Sequence, residues 1–185
     1  MSSSALSQAH LSQLVVIDVQ TRLVAVMPEA QLKATLNACA LLVQAARLLE
    51  VPALCSEQYP RGLGPTVPML QELLGTAPRI EKTAFSCTAA PTFCRQLHSD
   101  RSQVVLAGME AHICVLQTAM GLQALGKQVF VAEDAVISRD LRHHANAMAR
   151  LREAGVIISN SESIVFEWLG RAEGDVFKQI SKLLR

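Results

Sequence analysis

The feature that most constrains this chain is a regular alternation of short apolar segments with helical patterns. The apolar segments are bounded by Gly, Pro or charged residues, which is typical of buried strands. The longest intervening segments, at 31–50, 112–125 and 140–154, place apolar residues at helical spacing. This alternation predicts an α/β fold, a three-layer, Rossmann-like arrangement in which a doubly wound, parallel six-stranded sheet is covered by helices on both faces. The predicted strands are 14–17, 52–56, 79–82, 104–107, 128–132 and 156–158.

Length and composition favour one domain. A chain of 185 residues, half of them hydrophobic and 18% charged, buries a sizeable core. We predict a flexible N-terminal tail at 1–12 and a single domain at 13–185. The first residues lack lysine, arginine and a long apolar core, so neither a secretory signal nor a transit peptide is predicted. No apolar run reaches the roughly 18 residues that span a bilayer, so we expect no membrane association.

The charge balance, the cysteines and the apolar content indicate which partners and which cellular compartment to expect. The 17 basic and 16 acidic residues nearly cancel and aromatic residues make up 4%, whereas a nucleic-acid surface needs a basic stripe with interleaved aromatics. We therefore expect a small-molecule substrate and no nucleic acid. Five cysteines without a CxxC pair argue against a disulfide framework and favour a reducing compartment, the cytoplasm. The apolar excess favours a homo-oligomer, a dimer or larger.

Three reactive side chains are predicted to meet at one edge of the sheet. In open α/β sheets, ligands bind beyond the carboxyl ends of the strands, where the strand order reverses. With the order 3-2-1-4-5-6, strands one and four are neighbours at that point. Asp18 ends strand one, Lys82 ends strand three, and Cys114 follows strand four in the first turn of a helix. We predict that these three residues share a pocket.

The combination of these residues favours acyl transfer. A thiol at a helix N-terminus beside a lysine ammonium is expected to ionise readily. A carboxylate within reach takes the thiol proton and returns it to a leaving group, and backbone N–H groups hold the oxyanion. Taken singly, a cysteine such as Cys114 is more often a buried core residue and a lysine such as Lys82 is usually a solvated surface charge, while Asp18 is as typical of a turn or helix cap as of a catalytic group. The set is what favours catalysis.

Three segments carry a resemblance to a known family. LVVIDVQTRL (14–23), IEKTAFSC (80–87) and LAGMEAHICVLQTA (106–119) resemble the isochorismatase-like cysteine hydrolases, in the same order and spacing over nearly the whole chain. SEQYPRGLGPTVP (56–68) resembles the YcaC-type and isochorismatase-domain-containing subgroup. The resemblance implies an isochorismatase-like hydrolase fold for the chain.

The same resemblance implies a role for each site residue. Cys114 is implied to be the nucleophile, Asp18 the general base, and Lys82 the group that stabilises the thiolate. A non-proline cis peptide is implied between Met109 and Glu110. It would aim the backbone N–H of Glu110 beside that of Cys114 as an oxyanion hole.

Two departures from relatives bear on metal and substrate. The nicotinamidase branch binds a metal through an Asp-x-His pair after strand two, where this chain has Cys-Ser-Glu-Gln-Tyr at 55–59. We therefore predict no metal and no cofactor. Relatives that cleave a vinyl ether often lack the cysteine, so Cys114 favours amide, imide or related carbonyl substrates.

Further polar and aromatic residues lie near the predicted pocket. Gln20, Tyr59 and Phe85, in loops beyond strand ends, are predicted to bind substrate, and Arg22 to line the same pocket. His112 lies two positions before Cys114 and does not share its helix face, so no dyad is predicted. The pair at 143–144 lacks a third ligand, which argues against a metal site.

Three functions follow from these observations. The leading hypothesis is a metal-independent cysteine hydrolase that cleaves a C–N bond in a small amide- or imide-like substrate through a thioester. A second is a thiol redox or sensing protein that uses an activated Cys114, although no resolving cysteine is evident. A third is a non-catalytic, small-ligand-binding oligomeric scaffold.

Overall fold

A six-stranded parallel sheet forms the centre of the computed structural model, which describes residues 5–184. The strand order is β3-β2-β1-β4-β5-β6, and every neighbouring pair is parallel. This confirms the predicted α/β fold and strand order. The strands are β1 (Ser12–Ile17), β2 (Ala53–Gln58), β3 (Arg79–Lys82), β4 (Gln103–Met109), β5 (Gln128–Ile137) and β6 (Ile157–Ser159).

Helices cover both faces of the sheet and create two apolar cores. Successive β1 residues point to opposite faces, as in any strand: Leu14 and Val16 pack into one core, Val15 and Ile17 into the other. The helices are α1 (Thr21–Val24), α2 (Glu29–Leu48), α3 (Pro60–Leu63), α4 (Pro68–Leu74), α5 (Pro91–Gln96), α6 (Leu116–Ala124), α7 (Leu141–Glu153), α8 (Ser161–Leu169) and α9 (Gly174–Leu183). The first core lies under α2, α4, α8 and α9, and the second under α5, α6 and α7.

Several strands extend beyond their predicted ends, towards the functional edge of the sheet. β2, predicted to end at 56, continues to Gln58, which pairs with Lys82, and the loop that follows it contains α3. β5 runs to Ile137 because a register shift between Leu106 and Gly108 lets it continue beside β4. The predicted helix at 112–125 is a π-helical turn, Ala111–Val115, followed by α6.

Gly108 allows the close contact between β1 and β4 at this edge. Its φ is +117°, and a Cβ at this position would lie 2.0 Å from the carbonyl oxygen of Ile17. Only glycine fits both the positive φ and the contact. The chain thereby passes closely over the end of β1 before it enters the turn that carries Cys114.

The N-terminal segment differs from the predicted flexible tail at 1–12. Residues 1–4 lie outside the described residues, but Ala9–Leu11 forms a 3-10 turn and β1 already begins at Ser12. Ser7 is fully buried, with its hydroxyl 3.0 Å from Ser12 Oγ and accepting a 2.7 Å hydrogen bond from Trp168 Nε1. Residues 7–12 therefore pack against the domain, because their serines find polar partners there. In the part of the chain described, no helix combines the length and apolarity needed to cross a membrane.

Candidate active site

Asp18 lies at the end of β1, at the centre of the functional edge. Its φ is +52°, a left-handed conformation that aspartate tolerates better than most residues. The side chain is fully buried. Ser56 Oγ donates to Asp18 Oδ1 at 2.7 Å, and Lys82 Nζ donates to Oδ2 at 2.6 Å. Both carboxylate oxygens are therefore held by donors from neighbouring strands.

Lys82 ends β3 with its ammonium turned into the protein. Its side chain has no exposed surface. Besides the bond to Asp18, Nζ donates to Gln58 Oε1 at 2.8 Å and to the carbonyl oxygen of Phe85 at 3.3 Å. An ammonium has three N–H donors, and these three acceptors use all of them. The cation is thus fixed in one position.

Cys114 lies in the π-helical turn and is 6% exposed. It lines the same pocket as Asp18, and the charge of that carboxylate raises the pKa of the thiol. The structure therefore brings Asp18, Lys82 and Cys114 together, although they come from three distant segments.

The Cys114 thiol is not an activated thiolate at rest. Burial raises its pKa most, and the negative charge of Asp18 raises it further. Lys82 lowers the pKa but does not outweigh these two effects. Lys82 therefore favours the thiolate as expected, but the expectation that the thiol ionises readily is wrong for the resting protein. Burial and the charge of Asp18 thus favour the protonated form of the thiol.

The turn before Cys114 carries a second carboxylate. The Met109–Glu110 peptide bond is cis, as the resemblance implies. The side chain of Glu110 is 5% exposed, and it accepts from the backbone N–H of Arg139 at 2.9 Å and from Arg139 Nε at 3.1 Å. Both members of this ion pair line the same pocket as Asp18.

A pocket of about 200 Å³ opens over the thiol. Its wall combines apolar side chains with the charged and amide groups described above. Both cations at the site, Lys82 and Arg139, are already paired with a carboxylate. The pocket therefore has little net charge to offer a ligand. It is lined by Asp18, Leu23, Gln58, Leu63, Phe85, Glu110, Ile113, Cys114 and Arg139.

The residues predicted to bind substrate have different positions. Phe85 lines the pocket and is 54% exposed. Gln20 is instead fully buried behind it, and its Nε2 donates to the carbonyl oxygens of Gln58 and Gly64 at 3.0 and 2.6 Å. Tyr59 lines an adjacent cleft, and Arg22 donates to the carbonyl oxygen of Gly62 at 2.7 Å. Gln20 and Arg22 therefore hold the loop after β2.

Comparison with known proteins places this geometry in a family. Residues 12–163 match the model of the isochorismatase domain. The chain belongs to the isochorismatase family. It is 41% identical over 144 residues to isochorismatase domain-containing protein 2 of Bos taurus, covering 78% of this chain and 70% of the relative. Membership of this family supports a hydrolase.

Solved structures of the isochorismatase family share the fold. The MAR1 ribonuclease from Caenorhabditis elegans superposes with a TM-score of 0.90 at 34% identity, over 97% of this chain and 92% of that one. YcaC from Escherichia coli, described as an octameric hydrolase of unknown specificity, superposes with a TM-score of 0.92 at 19% identity, over 100% and 91%. At that lower identity the likeness to YcaC shows the fold alone.

Four residues at this isochorismatase-family site were missed by the sequence analysis. Ser56 and Gln58 alternate along β2 and so share the sheet face that meets Asp18 and Lys82, a period-two signal that was available. Arg139 was missed because the apolar run predicts a strand that ends at 132, whereas β5 continues to Ile137, two residues before Arg139. Cys87 has the sequence context of an ordinary core cysteine, but its Sγ donates to Ser56 Oγ at 3.4 Å.

The histidines beside the site have structural partners. His112 Nδ1 lies 2.9 Å from Ser138 Oγ, and its ring packs at 4.7 Å on that of His143. Burial lowers the pKa of His112. His144 Nε2 lies 3.3 Å from the carbonyl oxygen of Glu133. Between residues 5 and 184, no group of three or more His, Cys, Asp or Glu side chains is arranged to hold a metal ion.

Proposed function

We propose that the protein is a metal-independent cysteine hydrolase that cleaves the C–N bond of a small amide- or imide-like substrate through a thioester. One observation carries the proposal: the Cys114 thiol shares a pocket with a buried carboxylate, Asp18, whose oxygens are held by Lys82 and Ser56. A nucleophile joined to a base, with the base oriented by further groups, is the general arrangement for covalent catalysis.

In the proposed first half-reaction, Asp18 takes the thiol proton as Cys114 Sγ attacks the carbonyl carbon. The new S–C bond moves the carbonyl electron pair onto oxygen. The backbone N–H groups of Glu110 and Cys114 stabilise that oxyanion. Asp18 then gives its proton to the substrate nitrogen, the C–N bond breaks, and an amine or ammonia leaves the thioester behind.

In the second half-reaction, water replaces the leaving group. Asp18 takes a proton from the water as its oxygen attacks the thioester carbon. The tetrahedral intermediate collapses, the C–S bond breaks, and the proton on Asp18 returns to Cys114 Sγ. Lys82 remains an ammonium throughout and balances whichever of the two groups is anionic.

The pocket favours a small, uncharged substrate. Its volume of about 200 Å³ and its apolar side chains, Leu23, Leu63 and Ile113, suit a short hydrocarbon group beside the carbonyl. An anionic substrate would need a free cation, yet Lys82 and Arg139 are both paired with carboxylates. We therefore propose neutral amides ahead of carboxylates.

The two alternative functions have less support. Redox sensing needs an ionised, accessible thiol, whereas burial and Asp18 raise the pKa of Cys114. A non-catalytic scaffold would not require the Asp18–Lys82 pair beside the sulfur.

Self-association is compatible with all three functions. We propose it here because several large apolar side chains, among them Val26, Leu125 and Leu141, are at least half exposed.

The test is mass spectrometry of the intact protein after brief incubation with a panel of short aliphatic amides, combined with an assay for released ammonia. We expect an acyl adduct on Cys114 and turnover by the parent protein. Cys114→Ala should lose both. Asp18→Asn should lose turnover by at least about a hundredfold, since it removes the general base.

The matched control is Cys94→Ala, because Cys94 is an exposed cysteine outside the pocket. It should keep full activity. Turnover that persists in Cys114→Ala would refute the proposal. Turnover lost in Cys114→Ala but kept in Asp18→Asn would favour a redox role, and unchanged ligand binding without turnover in the parent would favour a scaffold. A ribonucleotide oligomer belongs in the panel, because one relative is named a ribonuclease; its cleavage would also contradict the proposal.

A further inference from the structure

Ser56 contacts the carboxylate that accepts the thiol proton. It lies on β2 and is 1% exposed. Its hydroxyl has one proton and two lone pairs. Asp18 Oδ1, at 2.7 Å, is an acceptor, so the hydroxyl proton points towards it. The lone pairs of Ser56 are therefore left to accept from another donor.

Cys87 supplies that donor. Its Sγ lies 3.4 Å from Ser56 Oγ, and the thiol is fully buried. Burial raises the pKa of Cys87, which keeps the donating proton in place through the neutral range. The direction of the hydrogen bonds is thus set: the thiol donates to the hydroxyl, and the hydroxyl donates to the carboxylate.

A further contact joins Cys87 to the helix that follows the nucleophile. Its backbone N–H donates at 2.9 Å to Thr118 Oγ1, one turn beyond Cys114. The contacts therefore run from Asp18 through Ser56 and Cys87 to Thr118, on the helix that follows Cys114. Such a connected set of hydrogen bonds fixes the carboxylate relative to that helix.

We propose that Cys87 and Ser56 form a hydrogen-bonded relay that positions Asp18 to take the proton of Cys114. This inference rests on the proposed function in one respect: it takes Asp18 to be the base that accepts the thiol proton of Cys114. Both relay members are positioning residues, because they act through Asp18. Cys87 acts only through Ser56, so its effect should disappear once the hydroxyl is gone.

The experiment measures the rate at which iodoacetamide alkylates Cys114, followed by peptide mass spectrometry. In this reaction Sγ bonds to the methylene carbon, iodide leaves, and the thiol proton passes to Asp18. No natural substrate is needed. Ser56→Ala should slow alkylation about tenfold, the lower end expected for losing a hydrogen bond to a charged group. Cys87→Ala should slow it about threefold.

The double variant separates a relay from simple packing. Ser56→Ala with Cys87→Ala should react no more slowly than Ser56→Ala alone, because the two residues act in series. Cys87→Ser, which keeps a donor of similar size, should recover the parent rate. The control is Cys55→Ala, a buried cysteine on the same strand that packs into the opposite core. It should leave the rate unchanged.

Three results would overturn the relay: a parent-like rate in folded Ser56→Ala, single effects that multiply in the double variant, or no recovery in Cys87→Ser. With an active amide, Ser56→Ala should lower kcat about tenfold and leave KM unchanged. The proposed function fails separately. If no amide is turned over but the alkylation pattern holds, the relay stands without the hydrolase; if turnover requires Cys114 but ignores Ser56, the relay alone falls.

Discussion

Replacing Lys82 by methionine tests the buried ion pair at the functional edge of the sheet. The variant keeps the length of the side chain and removes its charge. Lys82 Nζ lies 2.6 Å from Asp18 Oδ2, and neither side chain has exposed surface. In Lys82→Met the carboxylate keeps its hydrogen bond from Ser56 but loses its counter-charge. We expect a large loss of stability.

The size of the stability loss follows from the groups that Lys82→Met leaves without a partner. Removing one member of a buried ion pair costs about 3–5 kcal/mol, because the remaining charge is buried without compensation. Gln58 Oε1 and the carbonyl oxygen of Phe85 also lose their donor. We therefore expect the free energy of unfolding to fall by about 4 kcal/mol. Adding Asp18→Asn removes the orphaned charge, so the double variant should regain about half of that loss.

The assay is urea unfolding, followed by the fluorescence of Trp168, the single tryptophan, and by circular dichroism. Protein concentration is held constant, because self-association would shift apparent stability. The control is Lys127→Met, since Lys127 Nζ bonds the carbonyl oxygens of His98 and Arg101. A loss below about 1 kcal/mol in Lys82→Met, or a double variant less stable than the single one, would refute the reasoning.

Three further predictions concern backbone, pH and substrate charge. Gly108→Ala should destabilise the protein by about 3 kcal/mol, because a Cβ there meets the Ile17 carbonyl, whereas Gly126→Ala, with nothing within 4 Å of its Cβ, should cost about 1 kcal/mol; thermal unfolding compares them. Burial raises the pKa of Cys39 from 9.0 to about 12. The unfolded chain therefore loses this proton at lower pH than the folded one, and the free energy of unfolding should fall above pH 9 by about 1.4 kcal/mol per pH unit for this thiol. Cys39→Ala should flatten that fall between pH 9 and 11 in urea titrations and Cys94→Ala should not; equal slopes would contradict the assignment. Finally, valeramide should give a kcat/KM at least about tenfold above that of succinamate, a carboxylate of similar length, because both cations at the site are paired; a preference for succinamate would show that Arg139 leaves Glu110 to bind it.

The fold and the meeting of Asp18, Lys82 and Cys114 followed from the sequence because few arrangements were possible. Alternating strands and helices build parallel sheets, and parallel strands end at a common edge. A residue that ends a strand, or follows it closely, must therefore lie near that common edge, even when its contacts are unknown. The convergence of the three side chains also needed the assumed strand order 3-2-1-4-5-6, which the structure has.

The sequence could not predict how deeply a side chain is buried or in which direction it points. Gln20 follows β1 just as a pocket residue would, yet it is fully buried and holds the loop after β2. Cys87 has no sequence signal that separates it from a core cysteine. Arg139 lies at the pocket because Gly108 lets β5 continue beside β4. Each of these positions is fixed by contacts between distant segments, which no local pattern encodes.

The protonation of Cys114 changes the part that Lys82 plays. At rest, the ammonium is paired with the Asp18 carboxylate, and the thiol is neutral. In the proposed mechanism the proton moves from the sulfur to Asp18 and the negative charge moves to the sulfur, while Lys82 keeps its place. Under that proposal the site carries the same total charge before and after proton transfer, and no ion has to enter or leave a buried region. A lysine that lowers the thiol pKa without dominating it is the expected consequence: its charge stabilises the thiolate only once the carboxylate beside it has become an acid.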